Sequence, residues 1–229
     1  MFAKIKIILI ILVIISCAIL AILFLQDRTK KLEDRKYKDI TTINIDSDIA
    51  DINIYKSEDE MVKVVIYGTN KDFVELIEGT GYINVSKKTG NNRCFLNCRN
   101  EVNIYVPETM QLFDIKSEIG NITFEDVPVK DIKISTDKGN ITIDKTNAVT
   151  LNTNIGNVTI NELNSLKDSS IKTDIGNVTI KTIINTKLDT KSESGSVVIP
   201  VFKDEQDFTL KIETGVGNID IDHHENKSE

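Results

Sequence analysis

The chain has 229 residues, a formal charge of −7 and a pI near 5.0, with 40 % hydrophobic residues. Eight of its 28 cations and three of its 35 acids precede Asp39, which leaves 20 Lys/Arg against 32 Asp/Glu in the rest. That acidic balance argues against a nucleic-acid partner, because such binding needs clustered cations to displace counterions.

The first element is an aliphatic run from Ile7 to Leu25, interrupted only by Ser16 and Cys17. A helix of that length spans about 28 Å, close to the hydrocarbon core of a bilayer. Residues 1–26 therefore read as an uncleaved transmembrane anchor, and residues 27–38 as a basic juxtamembrane linker that can rest on anionic headgroups. Two other readings stand beside it. A cleaved signal peptide needs a small-residue cleavage site, and none follows Leu25. A lipoprotein would acylate Cys17 of "IISC", but the sequence stays apolar after it. Six cations follow the run and two precede it, which by plain counting puts the C-terminal side in the cytoplasm. The six-residue N-terminal tail and the acids Asp27, Glu33 and Asp34 weaken that count, so charge does not fix the orientation.

Residues 39–229 form the repeat domain. "TNIGNVTI" at Thr153–Ile160 recurs as "TDIGNVTI" at Thr173–Ile180. Aligned on the glycine, the copies centre on Gly120, Gly139, Gly156, Gly176, Gly195 and Gly217, with weaker copies at Ala50, Gly81 and Asn100. A period near 19 residues marks a solenoid or array. Two and four residues after the anchor position stand Ile52 and Ile54, Ile83 and Val85, Val102 and Ile104, Ile122 and Phe124, and so on to Ile219 and Ile221. The residue between is Asn or Thr in most copies, which is the period-2 signature of a half-buried strand. A second strand precedes each glycine, with Ile45, Ile115, Ile134, Leu151, Ile171 and Ile212 five positions before it. Met61–Gly68 reads as an extra strand, the segment up to Gly79 as a strand or irregular piece, and the tail from about residue 223 as frayed.

Each copy thus reads strand, corner, strand, corner. Ser or Thr stands three before the glycine and can bond local backbone. Glycine supplies the bend. Asn121, Asn140, Asn157, Asn177 and Asn218 follow Gly120, Gly139, Gly156, Gly176 and Gly217 and would stack as an amide ladder, each bonded to the next. The expected fold is all-β: a parallel β-solenoid, right-handed, of about nine coils of about 19 residues, behind one transmembrane helix. An up-and-down meander or sandwich is the alternative; it accounts for the alternation but not for the constant Gly-Asn phase.

No catalytic, cofactor-binding or metal site is assigned. His223 and His224 are the only histidines and point apart if they lie in a strand. Without another histidine no Ser or Cys triad can be assembled, and no nucleotide fingerprint is present. Cys94 and Cys98 frame "CFLNC"; they read either as a disulfide, which implies an oxidising compartment, or as two free thiols.

The units "S/T-x-x-G-N-I/V-T-I" behind a single anchor resemble the bacterial DUF4097 family, also labelled "putative adhesin" and including LiaG-like envelope-stress proteins. The resemblance covers about residues 40–222. It implies a β-solenoid displayed outside the cytoplasmic membrane and brings no catalytic residues. The reading is a non-enzymatic, membrane-anchored interaction module whose partner is an envelope protein or glycan. A bactofilin-like polymer on the cytoplasmic face is the alternative, and a β-helix carbohydrate enzyme a third.

Overall fold

The computed structural model describes residues 30–68, 74–87, 100–127, 129–201 and 206–225, and every element among them is a strand. The expected anchor over 1–26, the Cys94–Cys98 pair and the last four residues lie outside the described residues. In chain order the first strands are β1 (Lys30–Tyr37), β2 (Thr42–Ile49), β3 (Asp51–Lys56), β4 (Val62–Gly68), β5 (Val74–Gly79), β6 (Tyr82–Lys87) and β7 (Glu101–Val106). The regular run follows as β8 (Leu112–Ile119), β9 (Ile122–Glu125), β10 (Asp131–Lys138), β11 (Ile141–Thr146), β12 (Val149–Ile155), β13 (Val158–Asn164), β14 (Ser169–Ile175) and β15 (Val178–Ile184). The last four are β16 (Thr186–Ser194), β17 (Val197–Val198), β18 (Phe208–Val216) and β19 (Ile219–Glu225).

The strands form two sheets. One runs β1-β4-β7-β3-β9-β11-β13-β15-β19-β17 and the other β16-β18-β14-β12-β10-β8-β2-β6-β5. Each rung of the stack contributes one strand to each sheet, and successive rungs pair in parallel. The columns read from the sequence lie over one another. Ile122 registers with Ile141, Ile141 with Val158 and Val158 with Val178. In the other sheet Ile45, Ile115, Ile134, Leu151, Ile171 and Ile212 form one continuous line. Parallel pairing rules out the up-and-down meander. Between the sheets, Ile122, Ile141 and Val158 are fully buried, and Phe113 meets Phe124 edge-to-face at 5.1 Å across one rung. Each such aliphatic side chain stabilises the stack by roughly 1.5–3 kcal/mol, offset largely by the entropy of ordering the chain.

Four features differ from the sequence reading. First, the described rungs number eight, not nine. Ile83 and Val85 pair with Ile43 and Ile45 in the second sheet, not with Ile52 and Ile54. Gly81 is no rung corner: with φ +79° it turns the antiparallel β5–β6 hairpin, so the Gly81 and Asn100 copies are two halves of one rung. Second, spatial order departs from chain order at both ends. The β6/β7 rung lies outside β2/β3, and β18/β19 is inserted between β14/β15 and β16/β17. Third, Lys30–Tyr37, read as linker, forms β1 antiparallel to β4. Tyr37 is buried and Leu32 packs on the core, which gives this charged segment its apolar hold. Fourth, His223 and His224 belong to β19, in register with Thr182 and Ile183, rather than to a frayed tail.

The two ends of the stack are unlike. At the β6/β7 end, antiparallel β4 and β1 extend the first sheet and β5 the second. At the other end β16 and β17 are the outermost strands, with no further strand beyond them among the described residues.

Candidate functional site: the glycine-asparagine corner

At the tight corner between the two strands of a rung, the backbones of neighbouring rungs approach closely. A methyl group on Gly139, Gly156 or Gly176 would stand 1.9 Å from the carbonyl oxygen of the preceding corner glycine, and one on Gly217 2.0 Å from the oxygen of Gly176. On Gly120 it would meet the Ala50 oxygen at 1.8 Å. Glycine is therefore required by close approach of neighbouring backbones, quite apart from its conformational freedom.

The asparagines that follow do form a ladder, but not of amide on amide. The Asn140 backbone N–H donates to Asn121 Oδ1 (3.0 Å), Asn157 N–H to Asn140 Oδ1 (2.9 Å), Asn177 N–H to Asn157 Oδ1 (2.9 Å) and Asn218 N–H to Asn177 Oδ1 (2.8 Å). Asp51 opens the series by accepting from the Asn121 N–H, and Ser196 closes it by donating to Asn218 Oδ1. Each side chain thus satisfies a backbone donor that the bend leaves outside the sheet ladder. A carboxylate serves as well as an amide, as Asp51 shows.

The hydroxyl column also behaves differently from the local bonding expected. Thr173 Oγ1 donates to Gly156 O (3.3 Å), Thr214 Oγ1 to Gly176 O (3.0 Å) and Ser192 Oγ to Gly217 O (2.9 Å), each reaching a neighbouring rung. The buried hydroxyls of Ser117, Thr136 and Thr153 have no hydrogen-bond partner in the structure.

One feature escaped the sequence reading. The residue just before the corner is aliphatic in most rungs, and the corner turns it outward. Ile49, Ile119, Ile155, Ile175 and Val216 are between 41 % and 55 % exposed. Ile49 registers with Ile119, Ile155 with Ile175 and Ile175 with Val216; Lys138 stands between Ile119 and Ile155. The result is an outward aliphatic stripe beside the polar ladder. Its signal, an aliphatic before four of the five corner Gly-Asn pairs, was present in the sequence, but simple alternation from the inward positions assigns it to the core. The rungs keep their register through the corner, Thr136 with Thr153 and Lys138 with Ile155, so the outward residues still lie over one another.

Elsewhere the charge is dispersed. Lys36–Asp59 and Lys56–Glu108 pair at 2.7 Å and Lys211–Glu213 at 2.8 Å, all on the surface. The hydrogen bonds from these lysines hold the three carboxyls below their ordinary range. A groove of about 430 Å³ beside β5 is lined by Asn44, Asn84, Ile77, Asp46, Asp114 and Lys116, with Asp46 in register with Lys116 on the neighbouring strand. Among the described residues no three His, Cys, Asp or Glu side chains converge as metal ligands.

A family model described as Toastrack DUF4097 matches residues 40–229. Among solved structures, a "putative cell adhesion protein" from Clostridium sporogenes is 15 % identical, with 86 % of this chain and 100 % of that chain covered and a TM-score of 0.55. A "putative adhesin" from Bacteroides fragilis is 14 % identical, with 86 % and 98 % covered and a TM-score of 0.49. The Clostridium likeness bears on the fold alone. A comparison with curated proteins returned no match.

Proposed function

Because this chain belongs to the Toastrack DUF4097 family, we propose that it is a non-catalytic contact module of the cell envelope, held by the apolar run Ile7–Leu25 and carried on the outer side of the membrane. The observation that carries this reading is the aliphatic stripe of Ile49, Ile119, Ile155, Ile175 and Val216, held outward on a hydrogen-bonded frame. Solvated side chains of this kind, aligned at the strand spacing of about 4.8 Å, are a cost to an isolated protein and a resource for a bound one. Aliphatic contact favours a protein partner over a glycan. The description of the Clostridium neighbour as a "putative cell adhesion protein" accords with such a role.

The test has two parts. Protease shaving of intact cells reads the side of the membrane, and only an outward domain is cut before lysis. Capture of envelope proteins by the whole chain, compared with an Ile155→Asp, Ile175→Asp variant, reads the stripe. Equal capture by both chains would remove the stripe from the proposal, and turnover of a cell-wall glycan would remove its non-catalytic character. The filament reading has less support. Head-to-tail polymerisation needs two open ends, and one end here is covered by the charged strand β1, whose lysines are a common guard against edge pairing.

A further inference from the structure

We infer that the uncovered edge of β16 is a self-complementary interface, through which two copies of this chain join by antiparallel pairing of Thr186–Ser194 with its own counterpart. The inference does not depend on the corner stripe.

The edge is available and long. β16 has nine residues and closes one side of its sheet, with β18 as its only neighbour among the described strands. Its backbone polarity follows from the columns. Leu188 registers with Leu210, Leu210 with Ser169, and Ser169 falls in the column of Val149 and Ile132. In that column the Ile132 N–H points to the next rung outward, donating to Ala148 O. Leu188, Thr190 and Ser192 accordingly turn their backbone groups to the free side. On the same rung Val197, Val198, Ile199 and Val201 are exposed, the last of them 93 %. A long edge with unpaired donors and acceptors and an apolar border is a template for another strand.

The side chains specify which strand. On the solvent face, Lys187, Asp189, Lys191 and Glu193 alternate in sign, and all four are exposed. A two-fold axis through Thr190 places Lys187 opposite the second copy's Glu193 and Asp189 opposite its Lys191. The symmetry repeats both contacts, so all four directly opposed pairs are unlike charges. The same register sets Thr190 against Thr190 and Leu188 against Ser192, which are the residues with outward backbone groups. Those positions become the hydrogen-bonded pairs, and the charged positions become the closer, non-hydrogen-bonded ones. Neighbouring registers that preserve the hydrogen bonding fail on charge. Shifting one way sets Lys187 against Lys191 and Asp189 against itself; shifting the other way sets Lys191 against itself and Asp189 against Glu193. Opposed unlike charges stabilise a strand pair and like charges destabilise it, so the sequence of β16 selects one isologous register. The contact of Lys191 with Glu193 within the strand, at 3.5 Å, is exposed and weak enough to rearrange.

The test uses the whole chain in detergent micelles, with sedimentation to read its association state. The parent should be a dimer. Thr190→Cys should oxidise to a 190–190 disulfide identified by peptide mapping, with the parent setting the background from Cys17, Cys94 and Cys98. The variants Lys187→Glu, Lys191→Glu and Asp189→Lys, Glu193→Lys should each dimerise at least about tenfold more weakly, because every opposed pair becomes like-charged. Mixing the two should restore a heterodimer, which also shows that both variants fold. A monomeric parent, association indifferent to both reversals, or a mixture that stays monomeric would each overturn the inference.

Discussion

Replacing Gly156 with Ala tests whether close approach or backbone conformation selects the corner glycines. The added carbon would lie 1.9 Å from the Gly139 oxygen, whereas even the closest carbon–oxygen contacts between strands are about 3.3 Å. The two rungs must separate locally by about 1.4 Å, a large fraction of the strand spacing of about 4.8 Å. Three hydrogen bonds join them there: Gly139 N–H to Ile155 O (3.0 Å), Ile141 N–H to Asn157 O (2.9 Å) and Asn157 N–H to Asn140 Oδ1 (2.9 Å). At about 1 kcal/mol net each, their loss costs about 3 kcal/mol. Gly81 supplies the contrast. Its φ of +79° is far from that of an ordinary side-chain-bearing residue, yet the nearest atom to an added carbon is 3.9 Å away. Gly81→Ala should cost only about 1–2 kcal/mol, the strain of a left-handed residue. Urea unfolding followed by far-UV circular dichroism measures both. If Gly156→Ala is no more harmful than Gly81→Ala, the steric account of the corner is wrong.

Three further outcomes follow from the same geometry. Thr153→Val removes a buried hydroxyl that has no partner and should be neutral or stabilising by up to about 1 kcal/mol, while Thr214→Val forfeits the 3.0 Å bond to Gly176 O and should cost about 1 kcal/mol; thermal denaturation of the pair reads the difference, and equal effects would contradict it. Asn157→Asp keeps the oxygen that accepts from the Asn177 N–H, whereas Asn157→Ala does not; the alanine variant should be the less stable by about 1 kcal/mol, and the reverse order would dismiss the ladder as a source of stability. The carboxyls of Asp34, Asp59 and Glu108 are held low by hydrogen bonds from Lys31, Lys36 and Lys56. Depressed carboxyls stabilise above their unfolded pKa near 4 and lose that contribution as pH falls through the lower folded value. Because these pairs are solvent-exposed the effect is small and salt-sensitive: hydrogen exchange in β1 and β4 should rise relative to β11–β13 below about pH 4, and uniform protection across both regions would refute it.

The middle of the stack was legible because its two signals agree. Alternating β-branched residues give the strand, and a glycine at fixed phase gives the corner, so Ile122, Ile141 and Val158 could be placed in one inward column from letters alone. Legibility failed where one signal appeared without the other. Gly81 carries a glycine and a following "YINV" strand like a corner, yet it turns a hairpin, and only pairing partners separate the two cases. Stacking order is invisible for a related reason: similar rungs accept one another as neighbours, so nothing local tells β18 to lie inside β16. The asparagines stand out in the sequence by their place after the glycines, but their acceptor role depends on where the next rung's N–H falls. The stripe is hidden because alternation from buried Ile115 and Ser117 predicts an inward Ile119, whereas at the corner that residue is exposed.

That inverted order has a bearing on how the molecule is built. A ribosome delivers β16 and β17 before the strands that separate them from β14 and β15. For that interval the outermost layer has no permanent berth, and the growing stack must either hold a gap open or accept a provisional neighbour and later release it. The strands β18 and β19 therefore act as a keystone: they join rungs already made on either side, so this part of the stack is completed by intercalation instead of by simple elongation.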